Sequence, residues 1–231
     1  MGQLRIVQRI LFVILLAAAC LAQPAPVLSK AELMGRVVPG RDGGFAPLGA
    51  YYLRRPVAAA FERMQAAAAA DGVALRVLSA TRTFADQRQI WERKWKTSKE
   101  TDPEKRALRI MTYSSMPGTS RHHWGTDLDL NSFSPRWFEG TAEGRSVYAW
   151  LLKRASEFGF CQPYSAKGPQ RATGYSEEKW HWSYQPWSSA FLRQYGEKIQ
   201  VADLTGFSGS GVAGQVRSIE DYVGGVHASC K

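Results

Sequence analysis

Two short stretches some fifty residues apart constrain this chain more than any other feature. The first is Ser120-Arg121-His122-His123-Trp124-Gly125-Thr126-Asp127-Leu128-Asp129-Leu130 and the second is Glu178-Lys179-Trp180-His181-Trp182; together they hold three of the four histidines. A fold that joins them puts a histidine, a carboxylate and a second histidine around one point. That donor set holds one Zn²⁺ and leaves a fourth position for water, whose proton a nearby glutamate can take. In an extended segment residues of equal parity share a face, so Asp127 and Asp129 point the same way and periodicity does not choose between them. Gly125 gives room for a turn between His122 and either carboxylate, and His123 then points away from His122. Taken singly, each residue has an ordinary structural explanation; the joint pattern carries the chemistry. His227 has only Asp221 near it in sequence and is read as structural.

At 231 residues, 45% hydrophobic and 12% aromatic, the chain can bury its own core, and its length suits one domain. Arg5 and Arg9, an unbroken apolar run from Ile10 to Leu16 and small residues up to Ala22 read as an export signal over 1–22, cut after Ala22. The apolar stretch is shorter than the roughly 20 residues a membrane-spanning helix needs. Cys20 offers a second outcome, a lipidated N-terminus, and only that route makes a membrane a partner. Export places the chain in the periplasm or cell envelope, where Cys161 and Cys230 are expected to form a disulfide that ties the last residues to the domain. The formal charge of +10 falls to +8 when Arg5 and Arg9 leave with the signal. Such charge attracts polyanions without selecting among them. For an exported monomer the wall is within reach and nucleic acid is not, and plain solubilising charge explains the excess as well.

Residues 23–49 read as an N-terminal linker and irregular segment, glycine-rich from Gly35 to Gly49. After Pro56 a helix over about 57–70 carries Val57, Phe61, Met64 and Ala68 on one face and ends at Asp71-Gly72. A strand over 73–78 leads through Ser79-Ala80-Thr81-Arg82 into a helix over about 85–95. Arg82 therefore stands at a strand-to-helix junction, where a rigid strand aims a side chain that the loop leaves accessible. Lys96 to Gly118 is a charged excursion with a short helix started by Asp102-Pro103-Glu104. Strands are expected over 127–131 and 179–184, helices over 144–158 and from Ser188 to Tyr195, an extended piece at Phe160-Cys161, and a polar rim from Ser165 to Ser176. Residues 196–231 are read as a C-terminal extension packed on the same domain. Helices alternating with short strands, without repeats or heptads, make an α+β chain.

The first stretch resembles the S-x-H-x-x-G-x-x-x-D signature of the zinc D-alanyl-D-alanine carboxypeptidases of the vancomycin-resistance type, a group that also takes in lysostaphin-like peptidases and the hedgehog signalling domain. Glu178-Lys179-Trp180-His181 is similar to their E-x-W-H segment. Ser79 to Gln87 is similar to their S-G-Y-R-S-x-x-x-Q stretch, with Ala80-Thr81 in place of Gly-Tyr. The resemblance implies a compact α+β catalytic domain over 50–195, with a small antiparallel sheet carrying the zinc site and helices packed against it. It implies Zn²⁺ on His122, Asp129 and His181, Glu178 as general base, Arg82 on the substrate or the developing oxyanion, and Ser120 shaping the substrate site. His123 and Asp127 become neighbours whose substitution leaves metal bound. The implied function is a zinc peptidase that removes the terminal D-alanine of peptidoglycan stem peptides, Glu178 activating the zinc water that attacks the peptide carbonyl. Two alternatives stay open: an endopeptidase that cuts cross-links, if the groove is not blocked around a free carboxylate, and a catalytically silent zinc-containing wall-binding module, against which Glu178 and Arg82 argue.

Overall fold

Capping residues or a first-turn proline mark the helix starts before any tertiary contact does. In the computed structural model, which describes residues 23–41 and 44–231, Ser29 opens α1 (Lys30–Leu33) with a capping box to Glu32. The expected export signal and Cys20 lie outside the described residues. A hairpin of β1 (Phe45–Leu48) and β2 (Tyr51–Arg54) leads into α2 (Arg55–Ala70), where Pro56 sits in the first turn. After β3 (Val77–Ser79), Thr83 and Asp86 form a second capping box at α3 (Phe84–Thr97). Asp102 caps α4 (Pro103–Ile110) by accepting from the Lys105 N–H. Then come β4 (Asp127–Leu130), α5 (Pro135–Gly140), α6 (Ala142–Arg154), β5 (Phe160–Cys161), β6 (His181–Tyr184) and α7 (Gln185–Lys198).

The central sheet has the order β3-β4-β6-β5, antiparallel at each pairing. Its register sets Asp129 opposite His181 and Asp127 opposite Ser183. Strand alternation sends those polar side chains to one face and Leu128, Leu130 and Trp182 to the other, where they join the core. The face of α2 read from the sequence, Val57, Phe61, Met64 and Ala68, is wholly buried in that core. The α+β expectation, with a small antiparallel sheet and packed helices, holds.

Some elements differ from expectation. The stretch read as linker contains α1 and β1, and its Leu28 and Leu33 are buried with the core. Leu28 is held by its N–H donating to Gln194 Oε1 of α7, at 2.7 Å. These anchors are apolar residues without periodicity, so local pattern misses them. The strand placed over 73–78 is confined to Val77–Ser79, because β4 ends at Leu130 and the side chain of the next residue, Asn131, takes over the bonds of Ala74 and Arg76. Asn131 has φ 62°, a left-handed conformation that Asn tolerates.

Residues 196–231 pack onto the domain through Leu204, Phe207, Ala213, Val216 and Val223. They end in the Cys161–Cys230 disulfide, with Cα atoms 5.8 Å apart. Among the described residues no helix is long and apolar enough to cross a membrane.

Candidate metal centre and active site

The site begins with a turn. Arg121–Trp124 form one 3-10 turn that ends on Gly125 at φ 73°, where a Cβ would come within 2.6 Å of the Phe45 ring. Glycine permits both the left-handed backbone and the close approach. The turn lifts His122 over β4, so that His122, Asp129 and His181 each offer one donor atom, all within 4.8 Å of one another. All three are buried.

The far nitrogen of each ligand histidine is already engaged. His122 Nδ1 lies 2.7 Å from the Ala80 carbonyl, so it carries the proton and donates. His181 Nε2 donates to Asp127 Oδ1 at 3.0 Å. In the neutral imidazoles the remaining nitrogens hold lone pairs, and both face a carboxylate: His122 Nε2 is 3.2 Å from Asp129 Oδ2, and His181 Nδ1 is 3.1 Å from Asp129 Oδ1. Lone pairs meeting at one buried point repel unless a cation lies between them. His122 Nε2 and Asp129 Oδ1 have no hydrogen-bond partner. Donors around a tetrahedral ion at ~2.1 Å stand roughly 3.4 Å apart, close to these separations. The donor set therefore fits a divalent metal of the Zn²⁺ kind.

Without a cation, protons take its place. Burial pulls the His181 imidazole down, but hydrogen bonds to Asp127 and Asp129 outweigh it and lift the group to about 9. Burial, and then the Arg82 charge, hold His122 below its ordinary value. Burial works to raise Asp129, yet His122 and His181 keep it well below the usual carboxylate range. Glu178 is the opposite case: burial raises its carboxyl to about 8 against the pull of His181 and Arg82. Its Oε2 lies 3.6 Å from His181 Nδ1, beside the ligand cluster.

The two residues that spacing left ambiguous separate cleanly. Asp127 is wholly buried and accepts from Arg121 Nε at 3.0 Å, from the Thr126 hydroxyl and from His181. Arg121, equally buried, also donates to Ser183 Oγ at 2.7 Å. Asp127 thus fixes the tautomer and orientation of a ligand, as carboxylates behind metal-bound histidines do, so the expectation that its substitution leaves metal binding untouched gives way to one of weakened binding. His123 turns away from His122: its Nδ1 donates to the Arg82 carbonyl at 2.8 Å and its Nε2 accepts from the Gly118 N–H at 3.1 Å. Burial lowers it to about 3, so it stays neutral and structural.

Arg82 reaches the same point from the β3–α3 junction. One guanidinium nitrogen donates to Gln87 Oε1 at 2.9 Å, another stands 3.4 Å from Asp129 Oδ2, and Nε has no partner. Gln87 is itself pinned by donating to the Ser115 carbonyl at 2.8 Å. Beside the cluster lies a small pocket of roughly 20 Å³ lined by Arg82, Tyr113, Ser115, Ser120, Tyr164, Tyr175 and Glu178 among others. Arg82, Tyr113 and Glu178 also border a larger cleft of roughly 550 Å³. The tyrosines and Ser115 are additions to the residues read from the sequence. They arrive from separate loops, with no local signal to mark them; Gln87 alone lay inside a recognisable motif.

The family model for VanY, D-alanyl-D-alanine carboxypeptidase, matches residues 50–187, more than half of the chain. The chain belongs to the VanY family. It is 34% identical over 121 residues to the D-alanyl-D-alanine carboxypeptidase of Enterococcus faecalis, a match covering 51% of this chain and 42% of that protein. It is 29% identical over 163 residues to the YodJ protein of Bacillus subtilis, covering 67% and 52%. The chain therefore spans about half the length of the curated relatives it matches. Two solved VanY structures are similar at 28% identity. One is a mutant of the vancomycin resistance D,D-pentapeptidase VanY in complex with Zn(II), with TM-score 0.52, covering 68% of this chain and 86% of that one. The other is VanYB in complex with D-alanine-D-alanine, with TM-score 0.53, covering 69% and 87%. The three VanY motifs read from the sequence all fall within the matched residues 50–187.

Proposed function

We propose that this chain is an exported zinc peptidase that removes the terminal D-alanine from peptidoglycan stem peptides. The observation that carries the reading is the convergence of His122, Asp129 and His181 on one point, with Glu178 at its side and a small pocket beyond. The VanY relatives in complex with Zn(II) and with D-alanine-D-alanine support it. Zn²⁺ held by the two imidazoles and Asp129 supplies Lewis-acid chemistry, lowering the pKa of water toward about 7 and polarising a peptide carbonyl.

The chain's own residues do the rest. Glu178 faces the pocket and takes the proton of the attacking water; its buried carboxyl then returns that proton to the leaving amine. Arg82, held by Gln87 and with Nε free, donates to the oxygen that gains charge as the carbonyl is attacked. The hydroxyls of Ser115, Ser120, Tyr164 and Tyr175 line the place where the leaving residue and its carboxylate sit. The buried Tyr164 and Tyr175 close this side of the centre, which favours a small leaving residue over a continuing chain and so a carboxypeptidase over a cross-link endopeptidase.

The test is to load the protein with zinc and incubate it with a stem pentapeptide and with a cross-linked dimer, reading products by mass spectrometry with and without a chelator. Chelator-sensitive release of D-alanine from the pentapeptide is expected. Cleavage of the dimer alone would establish the endopeptidase. No cleavage by zinc-loaded protein that still sediments with cell walls would establish the binding module.

A further inference from the structure

The larger cleft beside the metal centre has a chemical character that the cleavage reaction does not need. One wall is α3, which presents Ile90, Arg93 and Lys94 after Arg82; the other is Trp180 flanked by Tyr113 and Phe133. Trp180 meets the Tyr113 ring at 6.1 Å and the Phe133 ring at 6.2 Å, and both outer rings are about half exposed. Two carboxylates border the cleft, Asp129 and Glu178, and the metal centre claims both. Lys94 donates to the Ser114 hydroxyl, and neither it nor Arg93 makes an ion pair among the described residues. Burial and the nearby Arg93 charge hold the Lys94 ammonium below its ordinary range. Two adjacent cations in a half-enclosed cleft, without an acid of their own, are poised for an incoming anion.

Direction follows from the neighbouring pocket. The small pocket takes the leaving residue, so the chain on the acyl side of the scissile bond runs past Arg82 and Glu178 into the cleft. At roughly 550 Å³ the cleft lies within the ~300–1,000 Å³ usual for ligand sites. We propose that this cleft selects stem peptides bearing a free carboxylate on the acyl side of the cleaved bond, with Lys94 and Arg93 as the specificity-determining cations and the Tyr113–Trp180–Phe133 wall packing the aliphatic stem. The inference rests on the peptidase reading. Stem chemistry offers two sources of that carboxylate: the side chain of a third-position diaminopimelate, which lysine lacks, and the α-carboxylate of a γ-linked second-position glutamate, which amidation removes.

The experiment uses four pentapeptides that all end in D-Ala-D-Ala, combining diaminopimelate or lysine with free or amidated glutamate, and reads kcat/KM for D-alanine release. Loss of the recognised carboxylate should lower kcat/KM about tenfold or more, chiefly through KM, as for a charge-assisted hydrogen bond in a half-buried site. Whichever neutralisation has that effect identifies the source. Lys94→Met should flatten the difference between substrates, and Arg93→Gln, at an exposed position, should reduce it by about two- to fivefold. Retained zinc content and an unchanged melting temperature guard against misfolding, and Lys94→Arg should restore discrimination. Equal kcat/KM on all four peptides, or an equal loss on all four in Lys94→Met, would overturn this inference and leave the peptidase intact. No release from any peptide would overturn both.

Discussion

Asp127 offers the sharpest test of the site, because it touches no substrate and, in the arrangement described, no metal. Its Oδ1 receives both Arg121 Nε and His181 Nε2, each at 3.0 Å, and Asp127 and Arg121 are fully buried. Two effects should follow from its removal. A carboxylate behind a metal-bound histidine is worth about 10–100-fold in metal affinity. Asp127→Asn keeps an oxygen where Oδ1 stands but makes it a neutral acceptor, and charge-assisted hydrogen bonds are roughly twice as strong as neutral ones. Asn should therefore weaken zinc binding about tenfold, and Asp127→Ala, which removes the acceptor, about 100-fold. Both leave Arg121 buried without its counter-charge, at a cost of about 3–5 kcal/mol. At ~2–4 °C per kcal/mol for a domain of this size, melting should fall by roughly 6–20 °C.

Zinc affinity is read by competition against a chromophoric chelator below the melting range of each variant, and stability by calorimetry on metal-free protein. His123→Gln is the control: it disturbs Gly118 and the Arg82 carbonyl but faces no metal ligand, so zinc affinity should not change. Wild-type zinc affinity in both Asp127 variants, or a larger loss in His123→Gln, would refute the assignment of Asp127 as the residue that orients His181.

Other perturbations probe the remaining parts. Glu178→Ala should retain zinc by elemental analysis and lose D-alanine release; loss of both would mark Glu178 as structural. Arg82→Ala should lower turnover about 10²–10³-fold with zinc retained, and Gln87→Ala should act in the same direction but less, since it only frees the guanidinium. Chelation should lower the melting temperature, because zinc at 1,000 times its dissociation constant stabilises the folded chain by about 4 kcal/mol; coincident melts with and without zinc would argue against the site. Replacing Cys161 and Cys230 by Ser opens a loop with a sequence separation of 69, worth about 4 kcal/mol in the chain-entropy picture. An unchanged melting temperature in that variant would show that the tail's apolar contacts hold it without the bond.

What the amino-acid order determined by itself was local or motif-bound. Apolar spacing behind Pro56 marked α2, Asp102-Pro103-Glu104 marked the start of α4, and the motifs holding His122, Asp129, Glu178 and His181 marked the chemistry, because short-range periodicity and fixed motif offsets survive without knowledge of the fold. Periodicity did not choose between Asp127 and Asp129; the family signature did, and the structure supplies the physical reason: both share a face of β4, and the pairing with β6 sets Asp129 opposite His181 and brings Arg121 against Asp127. The small pocket lined by Tyr113, Tyr164 and Tyr175 and the Lys94 cleft were likewise decided by loops and helices that meet far apart in sequence. The anchoring of Leu28 and Leu33 belongs to the same class. In each case the deciding interaction is long-range, between groups whose separation along the chain carries no periodic signature, so packing and strand register supply what residue order alone leaves open.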